Sequence, residues 1–128
     1  MTHHFPIRVY YEDTDLAGIV YYANYLKFIE RGRSEWLRDL GIDQMAMKDA
    51  GVVFAARRVE ADYLSPAHFD DSLTVTTRLA QMTPARIIVD QDVLRGDQIL
   101  FKSRVTIACV GTTGRPTRIP EAVRKAIA

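Results

Sequence analysis

Residues 24–41, NYLKFIERGRSEWLRDLG, hold the longest regular pattern in the chain. Apolar or small residues recur there at steps of three and four, at Tyr25, Phe28, Ile29, Gly32, Trp36, Leu37 and Leu40. Such spacing places them on one face of an α-helix. Gly41 follows at once, and glycine commonly ends a helix. The stretch therefore predicts one long helix with one buried face.

The opposite face of this helix carries charges. Glu30 and Arg33, Arg31 and Glu35, and Glu35 and Arg38 lie three or four residues apart. Pairs at this spacing stabilise a helix by a few tenths of a kcal/mol each. We expect these side chains, Arg33 included, to form a stripe that faces solvent or another subunit.

The segments on either side of the helix read mostly as strands. Upstream, 5–11 (FPIRVYY) alternates with Ile7, Val9 and Tyr11 on one face, and 12–18 (EDTDLAG) has turn chemistry. Downstream, strands are predicted at 52–63, 72–82, 85–94 and 99–110, with short helices at 43–50, capped by Asp43, and at 120–127.

This element order indicates an α+β fold with one helix packed on an antiparallel sheet. At 128 residues without a linker, the chain 1–128 is predicted to be a single domain. One helix leaves part of such a sheet uncovered, so a homodimer is expected.

Composition excludes several classes of protein. Seventeen basic and 16 acidic residues give a net charge of +1, which disfavours nucleic-acid binding. No apolar run is long enough for a transmembrane segment, and residues 1–13 do not resemble a signal peptide. The single Cys109, predicted to be a buried inert thiol, is more typical of a cytoplasmic protein than of a secreted one.

Motifs for several chemistries are missing. The chain has no G-x-S-x-G, no P-loop and no G-x-G-x-x-G. Its histidines, His3, His4 and His68, are not at metal-ligand spacing, and the first two are expected at a frayed terminus. We therefore expect no metal site.

The segment 11–25, YEDTDLAGIVYYANY, carries the chemistry. It leads into the N-terminus of the long helix, where free backbone N–H groups polarise a carbonyl oxygen. Asp15 lies one turn away, Gly18 allows close approach of the backbone, and Ile19, Val20 and Tyr21 line the path to the helix. Alternatively, Asp13 and Asp15 only bond their own turn, and the spacing does not decide between these interpretations.

The pattern Y-x-x-D-T-D-x-x-G-x-V-Y-x-x-x-Y over 10–25, followed by Glu30 and Arg33, resembles the signature of the 4-hydroxybenzoyl-CoA thioesterase family. Within that family the chain is most similar to the Tol-Pal-associated acyl-CoA thioesterases. The likeness extends to DYLSPAHFDDSLTV at 62–75 and RPTRIP at 115–120, and so to nearly the whole chain.

This resemblance implies a hotdog fold, in which a curved antiparallel sheet wraps the long helix. It implies paired subunits with active sites at their interface, assembled as a dimer of dimers. The substrate would be an acyl-CoA, or an acyl group on acyl carrier protein, hydrolysed without a cofactor. Asp15 would be the catalytic carboxylate, as nucleophile or general base, and the backbone N–H of Tyr22 would polarise the thioester carbonyl.

The resemblance also implies substrate contacts from residues that are spread along the sequence. Gly18, Val20 and Tyr21 would contact the acyl end, and Ser65 and Pro66 would border the pocket. Arg118, in a T-R-I-P segment similar to the family's CoA-side motif, and Arg86, at a strand start where relatives carry basic residues, would bind the CoA phosphates. The tail 112–128, with four basic groups and one acid, fits that role.

The chain departs from the Tol-Pal-associated group at Tyr22, where that group often has histidine. The hydroxybenzoyl enzymes have tyrosine at this position. Tyr22 therefore narrows the acyl pocket, favours an aromatic acyl group or only packs, and these alternatives stay open. Two rival functions are a non-catalytic acyl-CoA or acyl-carrier binding module and a hydratase. The hydratase would need a histidine in the site, and none is near Asp15 in sequence.

Overall fold

The computed structural model describes all 128 residues, with one sheet and three helices. The strands are β1 (Thr2–Arg8), β2 (Val52–Tyr63), β3 (Ser72–Met82), β4 (Arg86–Arg95) and β5 (Gln98–Gly111). The helices are α1 (Asn24–Asp39), α2 (Gln44–Asp49) and α3 (Glu121–Ile127). All strand pairs are antiparallel in the order β1-β3-β4-β5-β2. The predicted α+β class and element order are confirmed.

The predicted bounds of the first strand differ most from the structure. It spans 2–8 rather than 5–11, and Tyr11 to Asp13 form a short 3-10 turn in which Tyr11 is exposed. The Asp13 carboxylate accepts the Tyr10 N–H at 2.8 Å and stabilises this turn. The terminus is not frayed, because His3 pairs with Thr77 of β3 and its Nε2 lies 2.7 Å from an Asp39 carboxylate oxygen.

Helix α1 packs closely on β3. A Cβ on Gly32 would lie only 2.6 Å from Cγ1 of Val75, so the contact requires glycine. At the start of the helix the Tyr25 ring stacks on Phe101 of β5, with centroids 4.9 Å apart. The buried face consists of Tyr25, Phe28, Ile29, Gly32, Trp36 and Leu37, while Leu40 lies past the helix end and is exposed.

Arg33 does not lie in a solvent-exposed stripe, and the alternative that this side of the helix faces another subunit stays a prediction. It is half-buried, and its Nη1 donates a hydrogen bond of 2.9 Å to Oε1 of Gln91. Gln91 is a fully buried β4 residue, a position where an alternating pattern predicts an apolar side chain. Sequence periodicity did not reveal this polar contact between helix and sheet.

Strand β2 forms a free edge of the sheet. It pairs only with β5, and from Ala55 onward all of its residues are exposed. Helix α1 contacts β1, β3 and β4, whereas β2 is contacted by the short α2. One helix thus leaves this side uncovered, as expected. No helix has both the length and the apolar character needed to cross a bilayer.

Cys109 is fully buried in β5, and burial raises the pKa of its thiol. The prediction of a buried thiol is confirmed. Because the thiolate is the reactive form, the raised pKa makes this cysteine a poor nucleophile.

Candidate active site

The loop between β1 and α1 closes into a tight turn at Asp15. The Asp15 N–H donates to the Ile19 carbonyl at 2.9 Å, and the Gly18 N–H donates to the Asp15 carbonyl at 3.0 Å. Gly18 has a φ of +79°, and a Cβ there would meet nothing within 4 Å. Glycine is therefore needed for the left-handed conformation, and no other part of the chain lies against it.

The Asp15 side chain bonds its own turn with one oxygen and leaves the other oxygen free. Its Oδ1 accepts the Ala17 N–H at 2.9 Å, as in an Asx turn. The residue is nevertheless exposed and lines a groove, and Oδ2 makes no hydrogen bond within the chain. The turn hydrogen bond thus orients a carboxylate whose other oxygen remains available.

The groove has a volume of about 440 Å³ and lies between the loop, the start of α1 and the end of β2. Its walls are mainly apolar and aromatic. They consist of Asp15, Ile19, Val20, Tyr21, Tyr22, Tyr25, Tyr63, Leu64, Ser65 and Pro66. The structure thus brings together Asp15, Val20, Tyr21 and Tyr22 with Ser65 and Pro66, while Gly18 lies in the adjoining turn.

The backbone amide of Tyr22 has no acceptor within the chain. Tyr22 lies two residues before α1, where unpaired N–H groups carry the partial positive charge of the helix N-terminus. Its neighbours are held firmly, because the Tyr21 N–H and the Asn24 side chain both donate to the Asp13 carbonyl at 2.9 Å. A residue with a free backbone donor and a residue with a free carboxylate oxygen therefore line the same groove.

Tyr63 is a site residue that the sequence analysis did not identify. Its hydroxyl donates a hydrogen bond of 2.9 Å to the Tyr22 carbonyl, and its ring makes an edge contact with Phe101 at 5.0 Å. Burial raises the pKa of Tyr63, and the nearby Tyr22 raises it further, so the hydroxyl remains a donor at neutral pH. Its position directly before LSP, inside a block that carries the family resemblance, was the available signal.

Tyr25 forms the floor of the groove. It is buried, and its hydroxyl accepts the Ala67 N–H at 3.2 Å. Burial raises the pKa of Tyr25. Because of this raised pKa, the phenol stays neutral at physiological pH. Its oxygen already accepts a backbone hydrogen bond, so the ring serves mainly in packing.

Arg86 and Arg118 are not at the groove of their own chain. Along β5, Tyr63 pairs with Phe101 and Arg86 pairs with Ala108, so the two positions are separated by about 23 Å of strand at 3.3 Å per residue. Arg118 lies at that same far end, where its carbonyl is 3.7 Å from the Cys109 sulfur. Arg86 and Arg118 thus lie together at the far end of the sheet, and their role as ligands of the CoA phosphates stays a prediction.

The groove can bind a carbonyl compound with an apolar substituent. A carbonyl oxygen at the Tyr22 amide would be polarised as negative charge develops on it. The free oxygen of Asp15 can act on the carbonyl carbon or on a water beside it. Such an arrangement is suited to acyl transfer to water.

Known proteins resemble the chain over nearly its full length. The family model of the thioesterase-like superfamily matches residues 9–127. The acyl-CoA thioesterase YbgC of Haemophilus influenzae is 39% identical over 124 residues, which are 95% of this chain and 91% of that protein. The acyl-CoA thioester hydrolase YbgC of Escherichia coli O6:H1 is 34% identical over 92% of this chain and 90% of its own length.

A solved structure agrees with the observed architecture. The crystal structure of a probable thioesterase from Bartonella henselae is similar with a TM-score of 0.90 and 39% sequence identity. The match covers 94% of this chain and 100% of that one.

Proposed function

The chain belongs to the thioesterase-like superfamily and is a thioester hydrolase with the hotdog fold, and from that premise we propose that its substrate is an acyl-CoA. The resemblance to the 4-hydroxybenzoyl-CoA thioesterase family is confirmed. Relatives named as acyl-CoA thioesterases support the proposed substrate and disfavour a non-catalytic binding module. The proposed catalytic unit is the whole chain, 1–128, as one domain.

In the proposed reaction, Asp15 is the catalytic carboxylate. It either attacks the thioester carbon to give a mixed anhydride or removes a proton from the attacking water. The Tyr22 N–H stabilises the negative charge that develops on the carbonyl oxygen. The observation that carries the proposal is that Asp15, with one carboxylate oxygen free, and Tyr22, with a backbone amide that has no acceptor, line the same groove.

The proposed acyl group is short-chain or aromatic. At about 440 Å³ the groove lies at the lower end of the usual range for small-molecule sites, about 300–1,000 Å³. Tyr21, Tyr22 and Tyr63 supply aromatic walls, which suit a flat ring as well as a short aliphatic chain. Gly18, Val20 and Tyr21 are the proposed contacts at this end.

We propose that the site is completed in a homodimer formed through β2. Its free edge presents unpaired backbone groups to a second copy. Antiparallel pairing of two β2 strands places the start of one beside the end of the other. The partner's Arg86 then lies three strand spacings, about 14 Å, to the side of the groove.

In this dimer the partner's Arg86 and the partner's Arg118 are the proposed ligands for the CoA phosphates. The argument rests on their location at the opposite end of the sheet from the groove of their own chain. The dimer of dimers and the cytoplasmic location, which the family resemblance and the single cysteine imply, stay predictions.

The test is thiol release from a panel of short, long and aromatic acyl-CoA esters and an acyl carrier protein ester, using wild type and Asp15→Asn. Asparagine can still accept the Ala17 N–H, so the fold is expected to persist. Turnover should fall at least about a hundredfold, as expected for loss of a general base. Near wild-type turnover by folded, pure Asp15→Asn would contradict the assignment.

The panel also decides the substrate. A preference for benzoyl-type esters would indicate that Tyr22 lines an aromatic pocket, and a preference for short aliphatic esters would indicate a narrow acyl pocket. If only the carrier-protein ester were hydrolysed, the substrate would be an acyl group on acyl carrier protein and not an acyl-CoA.

A further inference from the structure

One wall of the groove is formed by residues 64–67, here called the wall segment, which directly follow β2. The members that line the groove are Leu64, Ser65 and Pro66. The segment is bonded to the loop that carries Asp15, because the Val20 N–H donates to the Ala67 carbonyl at 2.8 Å. A shift of the wall segment therefore changes the shape of the groove.

Backbone hydrogen bonds hold the two ends of the wall segment but not its middle. At one end, two of its N–H groups donate to the Leu100 carbonyl at 2.8 and 3.1 Å. At the other end, the Ala67 N–H donates to the Tyr25 hydroxyl at 3.2 Å. Pro66 lies between them and has no N–H, and no backbone group donates to its carbonyl. The middle of the wall segment therefore depends on side chains.

Arg95, the last residue of β4, holds this middle part. Its Nη1 donates a hydrogen bond of 2.8 Å to an Asp71 carboxylate oxygen and a longer one, of 3.4 Å, to the Pro66 carbonyl. Its Nη2 donates to the Gln98 side-chain oxygen at 3.1 Å. The same Asp71 oxygen accepts the His68 N–H at 2.9 Å. One guanidinium and one carboxylate thus join the wall segment and the residue after it to the β4–β5 hairpin.

In the Arg95–Asp71 ion pair both partners are partly buried. Only 34% and 23% of the two side chains are exposed. Burial alone would raise the pKa of Asp71, but hydrogen bonds from the His68 N–H and from Arg95 hold this pKa below its ordinary value. The pair therefore stays ionised at neutral pH. Removal of the guanidinium would leave a partly buried carboxylate without its cation, which disrupts the structure around it.

We propose that Arg95 and Asp71 form a latch that holds the wall segment in place and thereby limits the length of the acyl group that the groove accepts. The inference rests on the proposed function, hydrolysis of an acyl-CoA at this groove. Neither latch residue lines the groove, so both are positioning residues. With the latch intact, Ser65 and Pro66 keep the groove small. With the latch broken, they move outward and longer acyl chains gain room.

Loss of the latch should leave the reacting groups in place. The Asp15 N–H donates to the Ile19 carbonyl, and the Tyr21 N–H donates to the Asp13 carbonyl, both at 2.9 Å. Neither of these hydrogen bonds involves a latch residue. The latch therefore acts on the fit of the acyl chain and not on the chemical step.

The test compares kcat/KM for butyryl-CoA and octanoyl-CoA. In Arg95→Gln the octanoyl-to-butyryl ratio should rise at least about fivefold, because one further methylene group is worth about 10- to 200-fold in a well-formed pocket. The kcat for butyryl-CoA should stay within about threefold of wild type. Arg95→Lys keeps the charge but loses the planar fork, so its ratio should be intermediate. It carries the same comparison if Arg95→Gln does not fold.

The matched control is Arg8→Gln. Arg8 donates to the Asp70 carboxylate at 3.1 Å in the same loop, but both side chains are more than half exposed and neither lines the groove. This variant should keep the wild-type ratio. Asp71→Asn should raise the ratio as Arg95→Gln does. The double variant should raise it by less than the product of the two single effects, because the residues act as a pair.

Amide hydrogen exchange of residues 64–68 without substrate gives a measurement that does not depend on hydrolysis. Exchange should be at least about tenfold faster in Arg95→Gln than in Arg8→Gln, since hydrogen bonds to a charged group are lost in the first variant. Denaturant unfolding of both variants shows that the comparison is made on folded protein.

Three results would overturn the latch: equal exchange in Arg95→Gln and Arg8→Gln, an unchanged ester ratio in Arg95→Gln, or an equal loss of kcat on both esters. Absence of thiol release from every ester by wild type would instead contradict the proposed hydrolysis. The exchange comparison would then still decide whether Arg95 holds the wall segment.

Discussion

The phenol of Tyr63 donates a hydrogen bond of 2.9 Å to the backbone carbonyl of Tyr22. This bond links the last residue of β2 to the loop that carries the free amide. It orients the peptide that follows Tyr22, and with it the entry into α1. The end of an edge strand therefore takes part in positioning the proposed oxyanion donor.

Tyr63→Phe should lower kcat about fivefold, since the hydrogen bond it removes contributes about 1 kcal/mol. The ring and its contact with Phe101 are kept, so KM and the melting temperature should change little. Steady-state kinetics on the preferred ester measures this. Tyr11→Phe is the control, because Tyr11 is exposed, does not line the groove and makes no hydrogen bond to the Tyr22 carbonyl. An equal loss in both variants would refute a positioning role for Tyr63.

Asp13→Asn should keep turnover within about threefold of wild type, in contrast to the loss of about a hundredfold or more in Asp15→Asn. The Asp13 carboxylate accepts the Tyr10 N–H, and Asp13 does not line the groove. Comparison of kcat for the two variants shows whether catalysis depends on the Asp15 carboxylate itself or only on the negative charge of the loop. Similar losses in both would mean that charge alone matters.

Gly32→Ala should destabilise the protein by about 1–3 kcal/mol, although alanine is the better helix former by about 1 kcal/mol. The added methyl group would lie 2.6 Å from Cγ1 of Val75. Denaturant unfolding of Gly32→Ala, Val75→Ala and the double variant measures the coupling. The double variant should lose at least about 0.5 kcal/mol less than the sum of the single losses. Strict additivity would mean that the methyl group is accommodated elsewhere.

Acid stability should depend on Asp90. Hydrogen bonds from Arg104 and Arg78 hold the pKa of this carboxyl below its ordinary value of 3.8. A lowered pKa in the folded state contributes stability above pH 3.8 that is lost as the pH falls through the folded pKa. Asp90→Asn should therefore have a lower melting temperature than wild type at neutral pH, and the difference in melting temperature should disappear in strong acid.

Asp92, on the same strand, provides a control of opposite sign. Burial raises the pKa of its carboxyl above 3.8, so ionisation opposes folding at neutral pH. Asp92→Asn should melt at or above the wild-type temperature at pH 7. Thermal melts of both variants across the acid range test the assignment. A lower melting temperature for Asp92→Asn at neutral pH would contradict it.

Much of the fold could be predicted from local pattern. The bounds of β2 and β3 agree with the sequence prediction, and α1 starts at Asn24 as its periodicity indicates. The edge strand β1 was displaced by three residues, because its start is decided by pairing with β3 and its end by the Asp13 hydrogen bond to Tyr10. Such long-range and side-chain contacts leave no periodic signal.

The site was predictable only where it is contiguous in sequence. Asp15, Val20, Tyr21 and Tyr22 lie in one loop and meet in one groove, as expected. Tyr63 reaches that groove through sheet topology, and the pairing of Gln91 with Arg33 depends on how α1 lies on β4. A single sequence does not report such distances. For the same reason the sequence does not predict how far Arg86 lies from the groove.

In the proposed dimer, the free edge of β2 also affects a subunit that has not yet bound its partner. In this twelve-residue strand every second residue turns its backbone N–H and C=O away from β5, and this open edge is a template on which an extended chain could add a strand. Arg57, Arg58 and Glu60 lie in the middle of this strand, with a bulge between Ala56 and Arg58. Charges and bulges at an edge hinder indiscriminate pairing. The strand therefore combines a surface for association with a local guard against aggregation of the newly made chain.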